Sequence, residues 1–188
     1  MKSYIESIFV SSRIRLARNG AELPYPPHDE LTQELMRFMS DITAALRKTS
    51  RFRAMTMENL SATEKLSLIE KHVISPLLAA NNISGAVLIS ADERVSVMLN
   101  EEDHIRLQCV TSGLDLISAF AVLNELDNRL ISAVPIAYDD KLGFLTACPT
   151  NLGTGMRASL MMFLPALSKT EGIKKIVDEL NKVQIEVR

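Results

Sequence analysis

Three consecutive carboxylates, Glu101, Glu102 and Asp103, stand in the stretch Asn100-Glu101-Glu102-Asp103-His104-Ile105-Arg106, directly after the alternating run Val95 to Leu99. Acids at a strand end do little for packing. Paired carboxylates grip a planar cation in bidentate fashion, and an arginine such as Arg106 holds a phosphate. Arg13 and Arg15 lie two apart in Ser11-Ser12-Arg13-Ile14-Arg15, which in an extended segment sets both guanidiniums on one face. Such a pair repels itself unless an anion sits between, so the segment reads either as a phosphate cradle or as a solvated edge strand. Arg157 leaves the turn-rich loop Cys148 to Gly155, and Arg188 is a further candidate. Cations gathered opposite acids fit phosphoryl transfer, in which catalysis is mostly positioning and electrostatics.

The usual phosphate motifs do not account for these residues. The chain has no G-x-x-x-x-G-K-[ST] and neither H-R-D nor D-F-G. Gly153-Thr154-Gly155-Met156-Arg157-Ala158 formally fits a dinucleotide fingerprint, with Glu171 as ribose partner. The β-compatible, proline-ended run that follows argues against it, as does the want of parallel βαβ alternation. A glycine loop with exposed amides beside Arg157 still suits a nucleotide phosphate. On residue type alone, Cys109 in an apolar run is inert core, and Cys148 at a loop mouth is either structural or an activated thiolate. His72, expected at a helix C-terminus, either complements the helix dipole or lines a site.

Several elements must position these groups. Ile8-Phe9-Val10 feeds the Arg13–Arg15 segment. Leu31, Leu35, Phe38, Ile42 and Leu46 predict an amphipathic helix from Asp29 to near Arg47. Phe52 to Met57 reads as a strand, and Ser61-Ala62-Thr63-Glu64 is a capping box for a helix that stops near His72, before Ser75-Pro76. Gly85 to Ser90 and Val95 to Leu99 form a hairpin delivering the acidic stretch, and Ile105 to Val110 is extended again before a break at Thr111-Ser112-Gly113. Leu116, Ile117, Phe120, Leu123, Leu126 and Leu130 mark a second long helix. Ile131 to Tyr138 and Phe144 to Ala147 read as a hairpin, with Pro135 at an edge or bulge. Thr170 is placed to cap a last helix, and Gln184 to Arg188 to begin another strand.

Composition sets the outer limits. With 188 residues, 47% hydrophobic and 23% charged, the chain can bury a substantial core, and one domain over 1–188 is expected. The net charge of −2 supplies no global basic field for nucleic acid. Two cysteines without zinc-ligand spacing exclude a disulfide framework and give no metal site, and fit a reducing compartment. The longest apolar run, Leu160 to Leu167, holds Pro165 and is far short of the ~20 residues of a membrane helix. A cytoplasmic protein without membrane or direct nucleic-acid partners is the expectation.

Three motifs together carry a resemblance. Ser-Ser-Arg-x-Arg at 11–15, Asn-Glu-Glu-Asp-His-x-Arg at 100–106 and Cys-Pro-Thr-Asn-x-Gly-Thr-Gly-x-Arg at 148–157 are similar to the signatures of the guanidino (phosphagen) kinase family. The text between them most resembles the bacterial branch that phosphorylates arginine side chains in proteins. The resemblance implies an α+β fold, a central antiparallel sheet flanked by helices, as in these catalytic domains and in glutamine synthetase, here incomplete at the C-terminus. It implies ATP as phosphate donor, with Mg2+ held mainly by the nucleotide phosphates. Arg13, Arg15, Arg106, Arg157 and Arg188 would bind those phosphates, with Ser11, Ser12, Ile14, His72, Ala158, Ser159, Leu160 and Met161 lining the nucleotide site. Glu101 and Glu102 would orient the acceptor guanidinium, one of them taking its proton, with Cys148 close by as a thiolate. The partners implied are proteins bearing exposed arginines, a zinc-binding activator, a heat-shock repressor and a Clp-type protease chaperone, in a stress response. Only ten residues precede Ser11, leaving no room for the helical lid of small-guanidine kinases. The alternatives kept open are a catalytically inactive fragment that binds nucleotide or a partner, and a small-guanidine kinase.

Overall fold

The computed structural model describes residues 8–47, 52–170 and 172–187. Strand β1 (Phe9–Arg18) is the middle of the architecture, hydrogen-bonded on one side to β5 (Ile105–Ser112) and on the other to β8 (Met156–Met162), antiparallel in both cases. It is therefore not the edge strand that solvated arginines would have allowed. With β2 (Phe52–Thr56), β3 (Ala86–Ser90) and β4 (Val95–Leu99), the described residues build a six-stranded sheet in the order β2-β3-β4-β5-β1-β8. Every pairing in it is antiparallel.

Periodicity decides what covers each face. In β1, Ile14 and Leu16 point to one side and Arg13 and Arg15 to the other. Helices α1 (Gln33–Arg47) and α4 (Leu116–Ala133) cover the Ile14 side, α4 lying across β1 and β5 and against α1. Phe38, Ile42 and Leu46 of α1 and Ala119, Leu123, Leu126 and Leu130 of α4 meet Val97, Leu99, Leu107 and Cys109 there. On the other side, α2 (Ala62–Glu70) and α3 (Pro76–Ala80) cover only the β3–β4 end, through Leu68, Val73, Ile74 and Leu78 on Val87, Ile89 and Met98. Strands β3 and β4 are thus buried on both faces, and their sequences read as continuous apolar runs.

Five local readings differ. The second long helix continues to Ala133, because Leu130 and Val134 extend the same apolar stripe into the core. Pro135 forces Val134 into an extended conformation, and the expected hairpin shrinks to β6 (Tyr138–Asp139) and β7 (Gly143–Phe144), with Ile136 making a single bridge to Gly20. Ser75-Pro76 is a start as well as a stop: the Ser75 hydroxyl accepts a hydrogen bond from Leu78 N at 3.0 Å, and Pro76 opens α3. Strand β5 runs through Thr111 and Ser112, held by pairing to Ser12 and Ser11. After α5 (Gly172–Lys182), Gln184 takes a left-handed conformation and Ile185 N returns to Leu180 O at 2.9 Å, so Gln184 to Val187 leave along a helix cap rather than as a strand. Arg188 lies outside the described residues.

One ion pair ties the helix layer to β1. Arg18 donates to both carboxylate oxygens of Asp127 on α4, at 3.0 and 2.7 Å, with both residues buried. Its guanidinium carbon lies 3.6 Å from the Phe144 ring centre, and Nη1 donates to the carbonyls of Ala17 and Thr154. Removing one partner strands a buried charge. Asp127→Ala is expected to cost ~3–5 kcal/mol in urea unfolding; a loss within ~0.5 kcal/mol, the range of ordinary surface substitutions, would show that the pair holds nothing together.

Candidate active site

The register of β1 assembles a cationic surface. Arg15 lies directly opposite Arg157 of β8 and Gln108 of β5, while Ala17 lies opposite Arg106. Directly paired residues share a sheet face, so Arg13, Arg15, Arg106 and Arg157 all stand on the face that α1 and α4 leave uncovered. Like charges directly opposite are destabilising in a sheet, which gives this face a physical demand for anions. Contacts already engage it, among them Arg13 Nε donating to Ser159 Oγ at 3.3 Å and Arg157 Nη2 pairing with Glu186. Gln108 Nε2 donates to the His72 carbonyl at 2.6 Å, which draws the exposed, left-handed His72 to the border of the same face.

The β4–β5 turn carries the acids. Asn100 adopts a positive φ of 57°, tolerable for asparagine, and its N–H donates to the His104 carbonyl at 2.9 Å. This tight turn sends Glu101 inward and Glu102 outward. Glu101 is 6% exposed and accepts from Arg106 Nη1 at 2.6 Å. Burial pushes its carboxyl up, but Arg106, Ser75 and the Glu102 N–H outweigh that and hold it below the usual range. Glu102 is exposed, and its carboxyl is raised by desolvation, then by the charges of Asp103 and Glu101. The neighbouring acids therefore differ: the ionised form is favoured at buried Glu101 and disfavoured at exposed Glu102.

The Cys148 loop reaches the same turn through Asp103. Asp103 Oδ1 accepts from Asn19 Nδ2 at 2.6 Å and from Ala147 N at 2.7 Å. Asn19, fully buried, also donates to the Leu145 carbonyl at 3.1 Å and accepts from the His104 N–H at 2.8 Å. Cys148 is half-buried, with Sγ 3.0 Å from Thr150 Oγ1. Gly155 allows the following turn to close, since a Cβ there would stand 2.4 Å from Arg18 Nη1 and 2.6 Å from the Ala17 carbonyl.

The remaining expected residues divide by face. Ser11, Ser159 and Met161 lie on the arginine side by register. Ile14 is core, and Ala158 and Leu160 face the helix side, so a ligand on the arginine face would meet only their backbone. Ser12 is fully buried, its hydroxyl donating to Gly113 O at 2.7 Å and accepting from Asp115 N at 2.8 Å, an anchor for the approach to α4. Cys109 is buried, with its thiol pushed up by burial. Sequence reasoning missed Asn19, Gln108 and Ser75, whose partners lie far along the chain; only the N-cap signature of Ser75 was visible locally. Among the described residues no group of three or more His, Cys, Asp or Glu could hold a metal ion.

Comparison with known proteins agrees with this architecture. Residues 34–188 match the family described as ATP:guanido phosphotransferase, C-terminal catalytic domain, and the chain belongs to that family. Its sequence is 47% identical over 186 residues to a protein-arginine kinase of Geobacillus sp. (strain WCH70), covering 96% of this chain and 51% of that protein. A protein-arginine kinase of Caldanaerobacter subterraneus subsp. tengcongensis is 39% identical, covering 100% and 57%. The chain thus spans about half the length of these curated relatives. In structure it is similar to the duplicated taurocyamine kinase of Schistosoma mansoni with bound transition state analog components, at a TM-score of 0.78 and 27% identity, covering 92% of this chain and 26% of that one. It is also similar to lombricine kinase, at a TM-score of 0.75 and 27% identity, covering 93% and 53%.

His104 offers a direct check on the turn. It is 1% exposed, and desolvation, with the charge of His28 second, lowers its imidazole to about 4. The unfolded chain takes up this proton near 6.5 and the folded chain does not, so the contribution is whole above 6.5 and is lost as pH falls toward about 4. An NMR titration is expected to keep His104 neutral until near that value; titration at the model-peptide value would mean that the turn is open to water.

Proposed function

We propose that this domain transfers the γ-phosphoryl group of ATP to the guanidinium of an arginine side chain on a protein. The observation that carries the reading is the double engagement of Arg106, which stands on the cationic face with Arg13, Arg15 and Arg157 and also holds Glu101 at 2.6 Å. One residue thereby joins a phosphate cradle to an acidic turn. The arginines would bind the triphosphate, displacing Glu186 from Arg157, with Arg188 a further candidate from the sequence. Mg2+ would be held through the phosphate oxygens and neutralise charge there.

A guanidinium is a poor nucleophile while its lone pair is delocalised. Glu101, kept ionised by Arg106, orients it, and Glu102 accepts its proton as nitrogen attacks the γ-phosphorus and ADP leaves. The raised carboxyl of Glu102 favours it over Glu101 for this role. Cys148 stands on the loop joined to the same turn and adds a polarisable sulfur beside the acceptor. The relatives named protein-arginine kinases support a protein acceptor. With it come the partners implied by resemblance, the zinc-binding activator, heat-shock repressor and Clp-type chaperone, and a cytoplasmic stress role. Among the described residues no helix is long and apolar enough to cross a membrane.

The test is transfer of acid-labile phosphate from γ-labelled ATP to arginines of a protein substrate. Glu102→Gln is expected to lower the rate by ~10²–10⁴-fold while nucleotide binding persists. The wild-type rate is expected to fall as pH drops and Glu102 takes up a proton before it can accept one from the acceptor. Nucleotide binding without transfer would favour a binding fragment. Transfer to free arginine or creatine but not to protein would favour a small-guanidine kinase.

A further inference from the structure

The buried groups behind the site converge on one side chain. Asn19 is 0% exposed and spends its whole amide on contacts distant in sequence. Oδ1 accepts from the His104 backbone at 2.8 Å and lies 2.9 Å from His104 Nδ1; Nδ2 donates to Asp103 Oδ1 at 2.6 Å and to the Leu145 carbonyl at 3.1 Å. The Gly20 N–H points at the same Nδ1, at 3.4 Å, so the ring edge, the Asn19 amide and the backbone after β1 meet at one place. The imidazole is buried and packed among the rings of Tyr25, His28 and Phe38. Neither asparagine end can be exchanged without leaving a buried polar group unsatisfied.

We propose that Asn19 is a positioning residue that fixes the acidic turn against the Cys148 loop. The two segments meet through it: Asp103, which Asn19 holds, directly follows Glu102 and also accepts from Ala147 N at 2.7 Å, one residue before Cys148. The strand that carries Arg13 and Arg15 ends at Arg18, so Asn19 also sets the distance from the phosphate cradle to the acceptor groups. The catalytic part of this inference rests on the phosphotransfer reading above; the placement of Cys148 does not.

The experiment uses the full chain with two readouts. Cys109 is 0% exposed, so iodoacetamide labelling, located by peptide mass, reports Cys148. Asn19→Ala is expected to speed that labelling severalfold and to lower kcat by ~10²-fold, with the ATP dissociation constant within about twofold. Asn19→Asp keeps the acceptor toward His104 but sets a carboxylate against Asp103 and the Leu145 carbonyl. The charged and titratable groups around that position are Arg18, Glu101, Glu102, Asp103, His104 and His28. The Asn19→Asp defect is expected to be largest at alkaline pH and to shrink in acid as the new carboxylate pair takes up a proton. The Asn19→Asp, Asp103→Asn double variant, which regenerates the side-chain bond with its polarity reversed, is expected to recover labelling and rate above either single variant. Labelling by Asn19→Asp equal to wild type at every pH, or a double variant no better than the singles, overturns the inference. So does a loss of ATP affinity as large as the loss of kcat, which marks general loosening of β1. If wild type transfers no phosphate yet Cys148 labelling responds as described, the phosphotransfer reading fails and the positioning of Cys148 by Asn19 stands.

Discussion

The constraint on which everything else depends is the register of β1. It is paired on both sides, and a slip of one residue would turn Ile14 and Leu16 outward and drive Arg13 and Arg15 into the apolar layer under α1 and α4. Burying those two guanidiniums costs far more than any strand pairing returns. The alternation that secures the core therefore also secures the cationic face, and no separate device is needed to aim the arginines. Arg106 and Arg157 join them only because β5 and β8 are the two neighbours of β1.

At the end of that strand the protein buries polar groups and satisfies them. Arg18 is held by Asp127, by two carbonyls and by the face of Phe144. Asn19 and Asp103 satisfy one another and two loop segments. Networks of this kind are strongly destabilising when half made and rigid when complete. Rigidity at this position is useful, because the acidic turn and the glycine loop both hang from it. Gly155 records the same closeness from the other side: no side chain fits between that loop and Ala17.

Electrostatics then separates two adjacent glutamates of identical chemistry. Glu101 is buried, and Arg106 makes its ionised form the stable one; Glu102 is exposed, and its acidic neighbours make ionisation harder. Their surroundings alone set two identical side chains apart.

The amino-acid sequence by itself carried the local half of this protein. The periodicity of α1 and α4, the capping box at Ser61, the β3–β4 hairpin and the side-by-side placement of Arg13 and Arg15 follow from spacings of two to four residues. Backbone geometry converts such spacings directly into a face. The three motifs, by resemblance, also pointed to the family. What the chain could not show locally were contacts between residues far apart in sequence: Arg15 opposite Arg157, Asn19 on Asp103 and Leu145, Arg18 on Asp127. The same holds for elements whose sign depends on packing. Ile131 to Ala133 became helix because the core continued beneath them, and Gln184 to Val187 left α5 through a left-handed cap rather than as a strand. The inequality of Glu101 and Glu102 was tertiary too, because a carboxylate's proton affinity is set by its burial and the charges around it, and neither is written in the identity of the residue.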